Sequence, residues 1–181
     1  YGIYCSGVWI DDRTSYYARH RPASFDALLG IKDDAARVYV AQSFEVTGSN
    51  PEFQLGDIVL YLAKVGSPTG TLTITIEANS SGSPSGTALA TYTLSDVSTI
   101  TTEVIANRMS PDVRPFLNTA TTYWIKVTGS YATSATTYIG WAVDTDSGYS
   151  LGSAKTATSV PAWTAYSGDL TFLLLGPQPH F

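Results

Sequence analysis

Thr71-Leu72-Thr73-Ile74-Thr75-Ile76 alternates without a break between a small polar and an aliphatic side chain. A period of two sends every threonine to one face and every aliphatic group to the other. That describes a β-strand with one wet and one packed face, and such strands belong to antiparallel sheets. The same period returns along the chain. Val38, Val40, Phe44 and Val46 share a face that Gln42 interrupts, and Ile58, Leu60 and Leu62 share another. Tyr123, Ile125 and Val127 alternate with Trp124 and Lys126, and Ile139, Trp141 and Val143 with Tyr138, Gly140 and Ala142. Leu170, Phe172 and Leu174 close the set. The β-branched residues that dominate these runs suit a pleated surface better than a helix.

The punctuation between the runs agrees. Ser67-Pro68-Thr69-Gly70 and Ser83-Pro84-Ser85-Gly86 each place Pro second and Gly fourth, the preference of a type I turn. Further loops are expected at Gly48 to Glu52, Asn107 to Pro115, Gly129 to Ser134 and Asp144 to Gly152. Helix signals are scarce. Ser24 is placed to cap a short turn carrying Phe25, Leu28 and Leu29, which Gly30 stops, and a second turn fits Asp33 to Ala36. About nine or ten strands at this spacing describe a sandwich, close to the eight of a jelly roll. The fold class is therefore all-β: an antiparallel, jelly-roll-like β-sandwich with an irregular N-terminal segment. Residues 1–181 read as one domain, with an irregular hairpin or arm over 1–36 and the jelly-roll core over 37–181. In the N-terminal part, Gly2 to Ile10 reads as a strand and Thr14 to His20 as its hairpin partner, or as an arm docking on a neighbouring subunit.

Composition narrows the partners. The chain of 181 residues has 20 Ser, 24 Thr and 12 Tyr, with only 14 % charged residues. Its hydrophobic share of 44 % supplies a core, so global disorder is excluded. Apolar runs such as Leu173-Leu174-Leu175 are far too short for a membrane-spanning helix. The net charge of −5 speaks against nucleic acid, which needs a basic face to displace phosphate counterions. The one basic concentration, Arg13, Arg19, His20 and Arg21, reads as solvated surface or local ion pairs. A single cysteine, Cys5, excludes a disulfide scaffold and a multi-cysteine zinc site.

From Ala41 onward the chain resembles the jelly-roll modules of bacterial surface and phage proteins, of the choice-of-anchor or virion-associated β-sandwich type. The residues that carry the resemblance begin with Ala41-Gln42-Ser43-Phe44, Leu60-Tyr61-Leu62-Ala63-Lys64 and Pro68-Thr69-Gly70-Thr71-Leu72-Thr73-Ile74. They continue through Gly82-Ser83-Pro84-Ser85-Gly86-Thr87-Ala88-Leu89-Ala90, Thr121-Thr122-Tyr123-Trp124-Ile125 and Gly168-Asp169-Leu170-Thr171-Phe172. The resemblance implies a virion-surface or extracellular, non-enzymatic module, and some such modules bind carbohydrate.

Few residues suggest chemistry. With only His20 and His180, and no Gly-x-Ser-x-Gly elbow, a catalytic triad has little to rest on. A glycosidase needs only two carboxylates at a set separation, which sequence does not display; Asp57, Asp96 and Asp112 read as solvated turn residues. No cofactor is required. Calcium is the one metal with support, because Asp144-Thr145-Asp146-Ser147-Gly148 spaces Asp144 and Asp146 as alternating oxygen ligands before a Gly. Lys155 stands where a calcium loop would carry its last acid, and the competing reading is a polar turn. Sugar recognition uses an exposed ring beside amides or carboxylates. The candidates are Trp124, Trp141, Trp163, Tyr149 and Tyr166, against the reading that these rings fill a core or a subunit interface.

The function expected is a non-enzymatic structural or adhesive component of a phage virion or other extracellular assembly, with a secreted carbohydrate-binding module as the alternative and a carboxylate-pair glycosidase behind it. Its partners would be copies of itself, other virion or surface proteins, and cell-surface glycans. Interface candidates are Tyr4, Trp9, Tyr16 and Tyr17 in the aromatic N-terminal segment and Phe181 in the tail, where Pro177 and Pro179 cannot donate ladder hydrogen bonds.

Overall fold

A computed structural model describes residues 3–5, 8–10, 16–22, 25–146 and 148–176, with backbone alone for 3–5, 8–10, 16 and 17. The N-terminal strands are β1 (Ile3–Cys5), β2 (Val8–Ile10), β3 (Tyr16–His20) and β4 (Ala27–Ile31). Then come β5 (Tyr39–Glu45), β6 (Glu52–Gln54), β7 (Ile58–Val65), β8 (Leu72–Ser80) and β9 (Ser83–Leu94). After a 3₁₀ turn at Val97–Thr99 follow β10 (Ile105–Met109), β11 (Phe116–Asn118), β12 (Thr122–Gly129) and β13 (Tyr138–Asp144). The last strands are β14 (Ala154–Ala157), β15 (Trp163–Tyr166), β16 (Asp169–Leu170) and β17 (Phe172–Leu175). All pairings among them are antiparallel, and no α-helix occurs among the described residues.

Eight of these strands pair in nested fashion. β8 pairs with β9 and β7 with β10; outside them, β5 pairs with β12 and β4 with β13. The chain thus behaves as one long hairpin rolled into two sheets, ordered β4-β13-β7-β10 and β5-β12-β8-β9. That is the jelly-roll arrangement. The β14–β15 hairpin extends the second sheet beyond β5, and β6 pairs with β11 in a separate two-stranded ribbon.

The core lies between the sheets and follows the alternation. Leu72, Ile74 and Ile76 face Ile58, Leu60 and Leu62 across it, with Phe44, Ile125, Val127, Ile139, Trp141 and Phe172 filling the centre. Thr73 and Thr75 fall on the opposite face of β8. The first sheet carries a second apolar layer on its outer side: Val59, Tyr61, Ala106, Ala142, Leu173 and Leu175, with Phe25 and Val104 packed against it. Apolar residues on both faces explain the continuous Ile58–Ala63 run, which lacks alternation.

β13 and β7 separate midway, and the last strand enters the gap. β7 pairs with β13 over Leu62–Val65 and with β17 over Ile58–Leu60 along the same edge. β16 holds the diverging end of β13. At the fork, Thr171 donates its N–H and hydroxyl to Ala142 O at 3.1 and 3.0 Å, while its carbonyl accepts Trp141 Nε1–H at 2.7 Å.

Several local expectations change. Ser24 to Leu29 holds no helical turn across its described part; Ala27–Ile31 is β4, because pairing with β13 buries Leu29 and Ile31 and outweighs a weak cap. The jelly-roll core accordingly reaches back to Ala27. β1 and β2 form their own hairpin, and β3 pairs with β17 rather than with residues 2–10. Ser83-Pro84-Ser85-Gly86 is not the turn. Ser81 and Gly82, both at positive φ, make the β8–β9 connection, and Gly86 (φ +85°) sits where the register slips. Gln42 does not leave the inward face of β5; it is fully buried there.

Replacing Trp141 with Phe keeps the packing shape but strips the fork of its indole donor. The expected cost is about 2–4 kcal/mol, from a buried unpaired carbonyl plus lost volume. Urea unfolding would register it as a lower midpoint with an unchanged slope.

Candidate functional site

One end of the sandwich gathers acidic groups. β13 delivers Asp144 there, the following turn Asp146, and the segment before β4 Asp26; one carboxylate oxygen from each lies within 4.8 Å of the others. Asp144 is buried, while Asp26 and Asp146 are exposed. Asp144 Oδ1 accepts Asp146 N–H at 3.1 Å, and Asp26 Oδ2 accepts both the N–H and the hydroxyl of Thr145 at 3.2 Å. His20, at the end of β3, places Nε2 3.2 Å from Asp144 Oδ2. Burial pushes the His20 pKa below its ordinary value, against the pull of Asp169 and Asp144. The basic run Arg19-His20-Arg21 is therefore no uniform surface patch: His20 turns inward, and the Arg21 guanidinium lies 5.8 Å from the centre of the Tyr61 ring.

A polar network behind His20 ties the two sheets together. Gln42 Oε1 accepts Leu170 N–H at 2.8 Å, and its Nε2 donates to Ser43 O at 3.0 Å and Asp169 Oδ1 at 3.3 Å. Asp169 Oδ2 accepts Tyr149 N–H at 3.1 Å. Burial raises the Tyr149 phenol to about 12, and its ring packs on His20 and Phe172.

The arrangement brings the two expected metal candidates, Asp144 and Asp146, to one place and adds Asp26. Calcium takes roughly six to eight oxygens. Here one oxygen of Asp144 and one of Asp26 already cap backbone N–H groups, the chemistry of a polar turn. Asp26 was invisible because it lies far upstream and only the β4–β13 pairing brings it close. Asp57, expected as a solvated turn residue, is buried instead. It accepts from Arg108 Nε at 2.7 Å and Ser110 Oγ at 2.9 Å, with Arg114 Nη2 3.6 Å away. Asp96 caps a turn through Ser98 N–H, while the exposed Asp112 accepts both Val113 N–H and, from β9, Thr91 N–H at 2.7 Å.

The five aromatic candidates do not converge. Trp141 is in the core, Tyr149 is buried beside it, and Tyr166 packs against the same core from β15. Trp124 and Trp163 lie on the other side of the second sheet. Trp124 is only 2 % exposed: its Nε1 donates to Asn79 Oδ1 at 2.9 Å, and Lys155 Nζ sits 5.6 Å from its ring centre while bonding Gly82 O at 2.5 Å. Trp163 is half-buried, edge-on to Tyr39 at 6.5 Å. Trp124, Trp141 and Tyr149 thus present no open ring face to a ligand. Tyr4, Trp9, Tyr16 and Tyr17 are placed by backbone only, and Phe181 lies outside the described residues.

The same outer face holds a buried charge pair. Glu77 has no exposed surface and pairs with Lys126. Its oxygens also accept Thr75 Oγ1–H at 2.9 Å and Gly86 N–H at 2.7 Å, so the slipped register of β9 is what satisfies it. Among the described residues no helix is long and apolar enough to cross a membrane. No protein-family model, no curated protein and no solved structure matches the chain. The fold and these sites therefore carry the functional argument alone.

Lys126→Met should destabilise the protein by about 3–5 kcal/mol, because Glu77 is left charged and buried; Lys126→Met combined with Glu77→Gln should recover most of that loss. Denaturant unfolding of the single and double variants gives the comparison.

Proposed function

We propose that the chain is a non-enzymatic structural and adhesive component of a phage particle or another extracellular assembly, packed against copies of itself or other surface proteins. The observation that supports this reading is the closed jelly roll, whose two sheets are tied by the buried Gln42–Asp169 hydrogen bond into one rigid module. A free-standing sandwich needs one apolar face per sheet, the inner one. Here Val59, Tyr61, Ala106, Ala142, Leu173 and Leu175 form a second layer outside the first sheet. That layer is itself buried within the chain, packed against Phe25 and Val104, so it thickens the module and offers no free face. The aromatic N-terminal strand β3 joins this same sheet through β17, which favours that segment as the route to a neighbour.

The rest of the site chemistry fits the same reading. His20 Nε2 lies beside Asp144 Oδ2, and no hydrogen bond joins it to a described Ser as a nucleophile would be joined. The reading calls for no cofactor. The mechanism is geometric: a rigid sandwich holds its loops at the ends, where they meet the assembly.

Immunogold electron microscopy of native source material, with antibody to this chain, tests the proposal. The expected result is label at regular positions on virions or filaments. Label confined to free protein in the medium would overturn it.

A further inference from the structure

The β6–β11 ribbon closes one end of the sandwich, and its two faces differ sharply. Phe53 and Leu117 point inward and are buried. Phe116 stands opposite Gln54, and Asn118 opposite Glu52; directly opposed residues share a face. That outward face therefore sets one aromatic ring beside two amides and a carboxylate. Phe116 is 61 % exposed and Val113, three residues before it, 53 %, the two most open large apolar side chains among the described residues. At exposed positions of β9, Thr87 and Thr93 carry small hydroxyl side chains instead. An open phenyl ring gains nothing from the fold in return for its contact with water.

The polar groups are equally uncommitted. The side chains of Glu52 and Asn118 make no hydrogen bond to the described protein, and Gln54 spends one N–H on Arg114 O at 3.3 Å. Beside Glu52, the β5–β6 connection leaves a hollow of about 240 Å³ lined by Asn50, Glu52, Phe53 and Thr119. The backbone beneath is held firmly. Leu55 N–H bonds Pro115 O at 2.9 Å, Thr119 N–H bonds Pro51 O at 3.0 Å, and Asn118 N–H bonds Tyr123 Oη at 3.0 Å. Asp57, clamped by Arg108, anchors the loop that leads into β11. A site fixed in advance loses little entropy on binding.

We propose that this ribbon binds a neutral oligosaccharide. The apolar C–H face of one pyranose lies on Phe116, with its hydroxyls within reach of Gln54. Residues two apart on a strand are about 7 Å apart, so the next sugar unit meets Asn118, Glu52 and the hollow. Glu52 accepts from two neighbouring hydroxyls, while the amides both donate and accept. The Glu52 charge and the net charge of −5 turn away acidic sugars.

The test is a printed array of α- and β-linked hexose and N-acetylhexosamine oligomers, then calorimetric titration of the retained oligomer into the purified chain. The expected result is retention of at least one neutral oligomer. Phe116→Ala should weaken its binding about tenfold or more at an unchanged melting temperature. Asn118→Ala and Glu52→Gln should weaken it severalfold, and Trp163→Ala should leave it as it was. Retention of no neutral oligomer overturns the proposal, as does binding that survives Phe116→Ala or a preference for acidic sugars. Binding is read on the isolated chain, so its failure is distinguishable from absence of the chain on particles.

Discussion

The fold turns on one buried junction, where β13 parts from β7 and the final strand slides between them. Opening a sheet strands backbone donors and acceptors in an apolar interior, which is costly unless each finds a partner. Three side chains supply them. Trp141 gives its indole N–H to Thr171 O, Thr171 gives its hydroxyl to Ala142 O, and Gln42 reaches from the opposite sheet to accept Leu170 N–H. Gln42 and Asp169 then lock the two sheets to each other through a direct hydrogen bond. Without that set, the last strand would have to remain at an edge, and β3 would lose the strand that joins it to the first sheet.

The alternation was readable because it reports a physical fact about each strand alone: one face is wet. Leu72, Ile74 and Ile76 are buried where period two puts them, and so are Ile58, Leu60 and Leu62. Sites built from distant parts of the chain escaped the reading. Asp26 joins Asp144 only through strand pairing, and Asp57 is buried because two arginines from the β10 to β11 region reach it. Trp124 shows the same limit from the other side. Its alternation placed it away from the core, yet Lys155, from a strand not adjacent to its own, covers the ring. Sequence period assigns a face; it does not say what a later strand lays on that face.

Charge is used sparingly, and part of it is turned inward. Glu77–Lys126, Asp57–Arg108 and Asp33–Arg37 are all pairs with at least one largely buried member. These pairs tie a part of the small charged complement to the architecture, and Ser and Thr share the outside with the rest. Buried pairs of this kind add little net stability against an apolar substitute, but they penalise any register in which they are broken. In a protein of many short antiparallel strands, a slip by one residue would turn each strand inside out.

The nested pairing also dictates an order of events when the chain folds. β8 and β9 meet across the two residues Ser81 and Gly82, so their closure entropy is small. β4 and β13 join Ile31 to Ile139, the longest closure among the four nested pairs. Assembly is favoured from the central hairpin outward, and the fork, which needs both β13 and the last strand, completes late. Such a topology has high contact order and folds slowly.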